Sequence, residues 1–173
     1  MPQAINLLSL YDLNDYEEIE ETADTIEGNA LLKAKTIAQK FDTNCFADDS
    51  GLLVDALNGA PGVYSARYAG EQKNDGDNIQ KLLAELKGNN NRKAHFKTIM
   101  ALVLDGKGYL FEGLIYGTIT EDLRGTNGFG YDPVFMPDGS SKTFAEMSFE
   151  EKNHISHRKI ALKKLLEFLG TVG

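Results

Sequence analysis

At 173 residues the chain fits one domain of about 100 to 200 residues, and 42% hydrophobic residues suffice for a core. No apolar run reaches the roughly 18 residues of a membrane helix, and the start lacks the basic and apolar regions of a signal peptide, so the chain reads as cytoplasmic with no membrane partner. The lone Cys45 excludes an intrachain disulfide framework and reads as a small buried strand residue.

The net charge of −8 is unevenly placed. Residues 1–32 hold eight acids and no Lys or Arg, whereas 142–164 hold six bases against three Glu. An acidic end that suits a divalent cation and a basic end that suits an anion are one reading; solvated helix faces are the other, and charge alone favours the second. No basic stripe stands clear of the acids, which argues against a nucleic-acid partner.

In chain order, "AINLLSL" (4–10) reads as a short strand. Apolar residues at 26, 30, 31, 34, 37, 38 and 41 predict an amphipathic helix from Ile26 to Phe41. "NCFADD" predicts a strand that ends at a Ser50-Gly51 turn, followed by "LLVDAL". A helix over 76–87 precedes the polar break "GNNNRK", and two long runs joined by Gly-Lys-Gly at 106–108 predict a hairpin. A Gly-rich loop (124–135) leads to a final helix over 157–169, ended by Gly170. The fold expected is one α/β domain, a layered fold with a mixed, elongated central sheet flanked by helices.

Four stretches carry chemistry. Asp48 and Asp49 are neighbours in a strand and so point to opposite faces, leaving one to act and the other to support it; Asp49, placed at the strand's carboxyl end, is the expected acid. By itself Asp-Asp-Ser-Gly is about equally often an Asx turn. "GAPGVYSARYAG" (59–70) has one Pro and three glycines, which make a loop of defined shape. Ser65 and Arg67 share one side of its extended Ser-Ala-Arg, with Arg67 suited to a phosphate or carboxylate, although an isolated Arg more often pairs with an Asp. Phe129 and Tyr131 flank Gly130 ahead of Asp132, and each ring either stacks on a nucleobase or packs on the sheet, at roughly even odds. "EEKNHISHR" gathers Lys152, Ser156, His157 and Arg158 at the start of the last helix, a cluster suited to an anion or carbonyl.

"EGNALLKA" (27–34), "FADDSGL" (46–52), "GAPGVYSARYAG", "FGYDPVF" (129–135) and "EEKNHISHR" (150–158) occur in the order and spacing of the inosine triphosphate pyrophosphatase family, which the chain resembles over roughly 17–169. Members cut inosine, deoxyinosine and xanthosine triphosphates to the monophosphate and pyrophosphate. The resemblance implies a Mg²⁺-dependent hydrolase, commonly a homodimer, with a purine nucleoside triphosphate as its partner. It implies metal-holding and water-activating acids at Glu21 and Asp49, with Asp48 beside them. Lys33 matches the family's helix lysine, and Asp49 is the expected general base. Phe129, Gly130, Tyr131 and Asp132 match the base-binding loop. Lys152, His157 and Arg158 match the residues that hold the purine's keto edge and the substrate, with Ser50, Ser65 and Arg67 also on the substrate side.

Two departures stand out. Family members begin with a strand entering a Thr-Gly-Asn-x-x-Lys loop that grips the triphosphate. Here the opening "MPQAINLLSLYDLNDYEEIEE" corresponds to the strand after that unit, leaving about 20 residues of the pattern without a counterpart. A purine-nucleotide-binding form without catalysis is therefore the alternative. Gly28 also stands where many members have Glu; Glu27 does not substitute for it directly, because one residue turns about 100° around a helix.

Overall fold

The computed structural model describes residues 5–172. Helix α1 spans Ile26–Phe41, as its periodicity predicts. Thr25 caps its start, accepting from the Gly28 amide at 3.0 Å, and Asp42 ends it in the left-handed conformation (φ 47°). Strand β1 is Cys45–Val54, β2 is Lys93–Leu104, β3 is Lys107–Ile119 and β4 is Phe135–Pro137. Helix α2 covers Asp75–Glu85, α3 covers Phe149–Ile155 and α4 covers His157–Thr171.

The strands form one sheet in the order β1-β2-β3-β4, and every pairing among the described residues is antiparallel. The layered α/β architecture is as the sequence predicts, with helices on both faces of this sheet, but among the described residues the sheet is antiparallel and not mixed, because β2 and β3 join by a tight hairpin and β1 and β4 flank them in antiparallel register. Residues 5–9 form no strand and lead into a turn at 10–14; Ala4, where the predicted strand begins, lies outside the described residues. Their Leu7 and Leu8 side chains are exposed, so that apolar run finds no neighbouring strand to pair with here.

Strand β1 does not end at Ser50-Gly51 but runs through it to Val54. Gly51 is a strand residue because the backbone of 62 crosses closely over it: a Cβ there would lie 2.4 Å from the Gly62 carbonyl oxygen. The acids consequently sit mid-strand rather than at its carboxyl end. The β2–β3 hairpin turns on Asp105-Gly106, both with positive φ, and not on Gly-Lys-Gly; Leu104 pairs with Lys107 across a two-residue loop. Gly170 is inside α4, which continues to Thr171.

Three apolar clusters fix where the site falls. On one face, Ile26, Ala30, Ala34 and Ala38 of α1 pack on Ile99, Ala101 and Val103, with Ala47 and Leu53 of β1 against them. On the opposite face, Ala161, Leu165 and Leu169 of α4 pack on Met100 and Leu102, with Phe46 alongside. The largest cluster lies toward the other end of β1 and β2, where Leu52, Val54 and Phe96 meet α2 and the aromatic pair Phe135 and Phe144. Each fully buried Leu or Phe contributes about 1.5–3 kcal/mol of transfer free energy. Asp48, Asp49 and Ser50 occupy the stretch of β1 between these clusters, where neither α4's apolar stripe nor the aromatic cluster covers the strand.

Candidate active site

A cleft of about 830 Å³ runs from the acids of β1 to the Gly-rich loop and the α3–α4 junction. The alternation of β1 splits the acid pair between faces, and each acid meets a cation from the helix on its own face. Asp49 turns toward α1, where Lys33 Nζ lies 3.6 Å from its Oδ1; Asp48 turns toward α4, where Arg158 Nε lies 3.4 Å from its Oδ2.

At the acid end, Lys33 also donates to Glu21 Oε1 at 2.9 Å, so one ammonium bridges Glu21 and Asp49. Only 12% of the Asp49 side chain is exposed. Burial pushes its carboxyl up from 3.8 to about 6; the Glu21 charge adds to this, while Lys33 opposes it. Arg67 does not line the cleft. The Gly62–Arg67 segment is a 3-10 helix, not extended, so Ser65 and Arg67 diverge around it. Arg67 instead lies over the Tyr64 ring at 5.1 Å and approaches Glu21 at 3.9 Å. The Ser65 hydroxyl borders the cleft but is committed, donating to the Gly62 carbonyl at 2.6 Å and accepting from the Leu52 amide at 2.9 Å. Ser50 likewise shares a hydrogen bond of 2.6 Å with buried Thr98.

At the far end, the two loop aromatics separate. Phe129 is 60% exposed over the cleft, with Lys152 Nζ 4.7 Å and the Arg158 guanidinium 5.3 Å from its ring centroid. Tyr131 is buried, and its hydroxyl donates to the Ser65 carbonyl at 2.7 Å; its ring belongs to the core. Asp132 is buried too, its Oδ2 accepting from the Phe129 amide at 3.0 Å and from Lys152 Nζ. The "EEKNHISHR" cluster does not lie on one helix. Lys152 stands on α3, which a reciprocal Ser148–Glu151 capping box starts, and Ser156 both closes α3 and caps α4 through the Lys159 amide. His157 stacks on Phe96 (centroids 4.9 Å, planes 9° apart) with its Nδ1 buried and unpartnered. Burial, with the Arg158 and Lys152 charges beside it, lowers His157 from 6.5 to about 3, so the imidazole is neutral at pH 7.

The three acids expected to hold a metal do not converge, because Asp48 faces Arg158. Among the described residues no three His, Cys, Asp or Glu side chains group closely enough to hold an ion by themselves. Glu21 and Asp49 alone suit a Mg²⁺ ion, which keeps several waters and takes one or two carboxylates plus substrate phosphates. Glu27, the acid next to Gly28, pairs with Lys97 on β2.

Sequence reasoning missed several cleft residues. Phe96 and Phe144 read only as strand and loop apolars, and Phe149 at the rim, 80% exposed, had no periodicity to mark it. Asp75, one residue ahead of the predicted helix, carried no signal in the sequence, yet its Oδ2 accepts from the Gly130 amide at 2.8 Å across 55 residues of sequence.

The fold and cleft together define an α/β protein with an acid–lysine cluster at one end of a cavity and an exposed aromatic ring beside two cations at the other. The family model of the Ham1 family matches residues 1–168, and the chain belongs to that family. A relative from Flavobacterium johnsoniae, named dITP/XTP pyrophosphatase, is 59% identical over 98% of this chain and 88% of its own length. One of the same name from Bacillus subtilis is 48% identical over 97% of this chain and 86% of its own length. The solved structure of the Staphylococcus aureus Ham1 protein superposes with a TM-score of 0.92 at 42% identity, covering 97% of this chain and 88% of that one.

Proposed function

We propose that this chain hydrolyses the non-standard purine nucleoside triphosphates ITP, dITP and XTP to the monophosphate and pyrophosphate. The observation that carries this reading is the two-ended cleft, in which a buried acid paired with a lysine lies opposite an exposed ring that two cations approach. The relatives named dITP/XTP pyrophosphatase, at 48% and 59% identity, support it.

At the purine end, the exposed face of Phe129 takes the base by stacking. Lys152 has three donors and gives one to Asp132, leaving others for a keto oxygen at the base edge. Arg158, whose guanidinium lies 5.3 Å from the same ring, adds further donors. An adenine amino group would face these donors and leave them unpaired, a penalty that discriminates by orders of magnitude. At the other end, Asp49 is poised near neutral pH to accept the proton of the attacking water. Lys33 supplies positive charge to the phosphates, and Glu21 and Asp49 would hold the Mg²⁺. Bound there, the ion would supply charge neutralisation on the phosphate oxygens. Ser50, Ser65, Tyr131 and Asp132 act from behind, fixing the walls through the bonds described above, and Arg67 steadies Glu21.

The chain is read as one domain that works as a homodimer; Leu110 and Tyr116, exposed on the α1 side of β3, offer apolar surface for a second copy. No described helix is long and apolar enough to cross a membrane.

The test is product analysis by anion-exchange chromatography after incubation with dITP, with Mg²⁺ and with chelator. Equimolar deoxyinosine monophosphate and pyrophosphate, formed only with the metal, is the expected result. A diphosphate with orthophosphate would overturn the bond assignment, and binding of inosine monophosphate without turnover of dITP would favour the non-catalytic alternative.

A further inference from the structure

We propose that Asp75, outside the family motifs used above, is a positioning residue that sets the purine-stacking ring. The proposal rests on the reading of Phe129 as the base platform. Two consecutive backbone amides bracket that ring, and each is taken by a carboxylate from a different place. The Phe129 amide donates to Asp132 Oδ2 at 3.0 Å and the Gly130 amide donates to Asp75 Oδ2 at 2.8 Å. The first bond is local, three residues apart; the second is the tie from this loop to α2.

The loop needs such a tie because its conformation is one glycine alone holds easily. Gly128 and Gly130 have φ of +76° and +60°, and Phe129 between them is exposed, so packing does not hold the ring. A carboxylate acceptor on the Gly130 amide fixes the direction of the peptide that follows Phe129, and with it the ring's angle to Lys152 and Arg158. The element carrying the acceptor is itself anchored. Asn74 caps α2 through the Asp77 amide at 2.9 Å, and buried Asn78 ties α2 to the 62–67 segment through the Ala66 carbonyl at 2.9 Å. Asp75 is exposed at the first turn of α2, where its negative charge also suits the helix dipole, so its replacement leaves the core untouched.

The role is that of an acceptor, not of a charge. Asn keeps a carbonyl oxygen at the same reach, whereas Ala removes it. Amide hydrogen exchange in the folded protein reads the tie directly. In Asp75→Ala the Gly130 amide exchanges about tenfold faster, and in Asp75→Asn it keeps its protection. In turnover, Asp75→Ala raises KM for dITP about tenfold with kcat within about twofold, and Asp75→Asn returns KM to within about twofold of the parent. Unchanged exchange and KM in the Ala variant would overturn the proposal. So would an Asn variant as impaired as Ala, which would assign the effect to charge. If the parent protein fails to turn over dITP, the functional reading falls, while the Gly130 exchange still decides whether Asp75 holds the loop.

Discussion

Stability should fall in mild acid because of one buried imidazole. His157 is 8% exposed, and in the folded protein it gains its proton only near pH 3, against 6.5 in the unfolded chain. Its folded pKa is depressed, so the stability it contributes is fully present above about 6.5 and is lost as pH falls toward about 3. In that window the unfolded chain binds a proton that the folded one does not. Each pH unit then costs about 1.4 kcal/mol, and between pH 7 and pH 5 the loss amounts to about 2 kcal/mol. Asp49 works the other way. Its folded pKa is raised to about 6, so acidification from there toward 3.8 favours the folded state. Comparison with His157→Gln removes that opposing contribution, since Asp49 is common to both proteins. Urea denaturation at pH 7 and pH 5 is the assay. The parent should lose about 2 kcal/mol more than the Gln variant across the interval. Parallel losses would show that His157 takes up a proton in the folded state as freely as in the unfolded one, and would refute its burial as a neutral ring.

Asp49→Asn should lower kcat for dITP by about 10²–10⁴ while leaving stability at pH 7 undiminished, because the buried charge is removed along with the base; kcat within tenfold of the parent would reassign the base. Phe129→Ala should raise KM for dITP by about 10- to 100-fold, the value of one base stacked on an aromatic ring, with an unchanged melting curve since the ring is exposed. Gly51→Ala should cost about 1–3 kcal/mol in urea denaturation, because its Cβ would lie 2.4 Å from the Gly62 carbonyl oxygen and backbone must shift; a neutral effect would mean that the crossing is looser than the geometry indicates.

Much of the site was legible because strand and helix periodicities carry side-chain direction. The alternation that sends Asp48 and Asp49 to opposite faces is borne out by their separate partners, Arg158 and Lys33. Helix α1 was legible from its apolar spacing, which also placed Lys33 off the buried stripe. Glycine punctuation misled in one place and in another found the hairpin but set its turn one residue late. Ser50-Gly51 looked like a turn, whereas the glycine serves a close backbone crossing that no local pattern encodes. In the hairpin the stronger turn signal was Asp105-Gly106, one residue earlier than the Gly-Lys-Gly triplet. Side chains committed to backbone groups far away in sequence were not legible at all. The hydroxyls of Ser65 and Tyr131 and the carboxylate of Asp75 find partners 13, 66 and 55 residues away, and only the folded chain brings those together. The same holds for the separation of roles between Phe129 and Tyr131, which look equivalent around Gly130 and differ only in which side of the loop meets the core.

The most direct test of the central claim is discrimination between purines: kcat/KM for pyrophosphate release from XTP, dITP and ATP, measured side by side with Mg²⁺. The site described here predicts that XTP and dITP exceed ATP by about a hundredfold or more, since adenine leaves the donors of Lys152 and Arg158 unpaired. Comparable turnover of ATP, or none from any of the three by a folded protein, would contradict it.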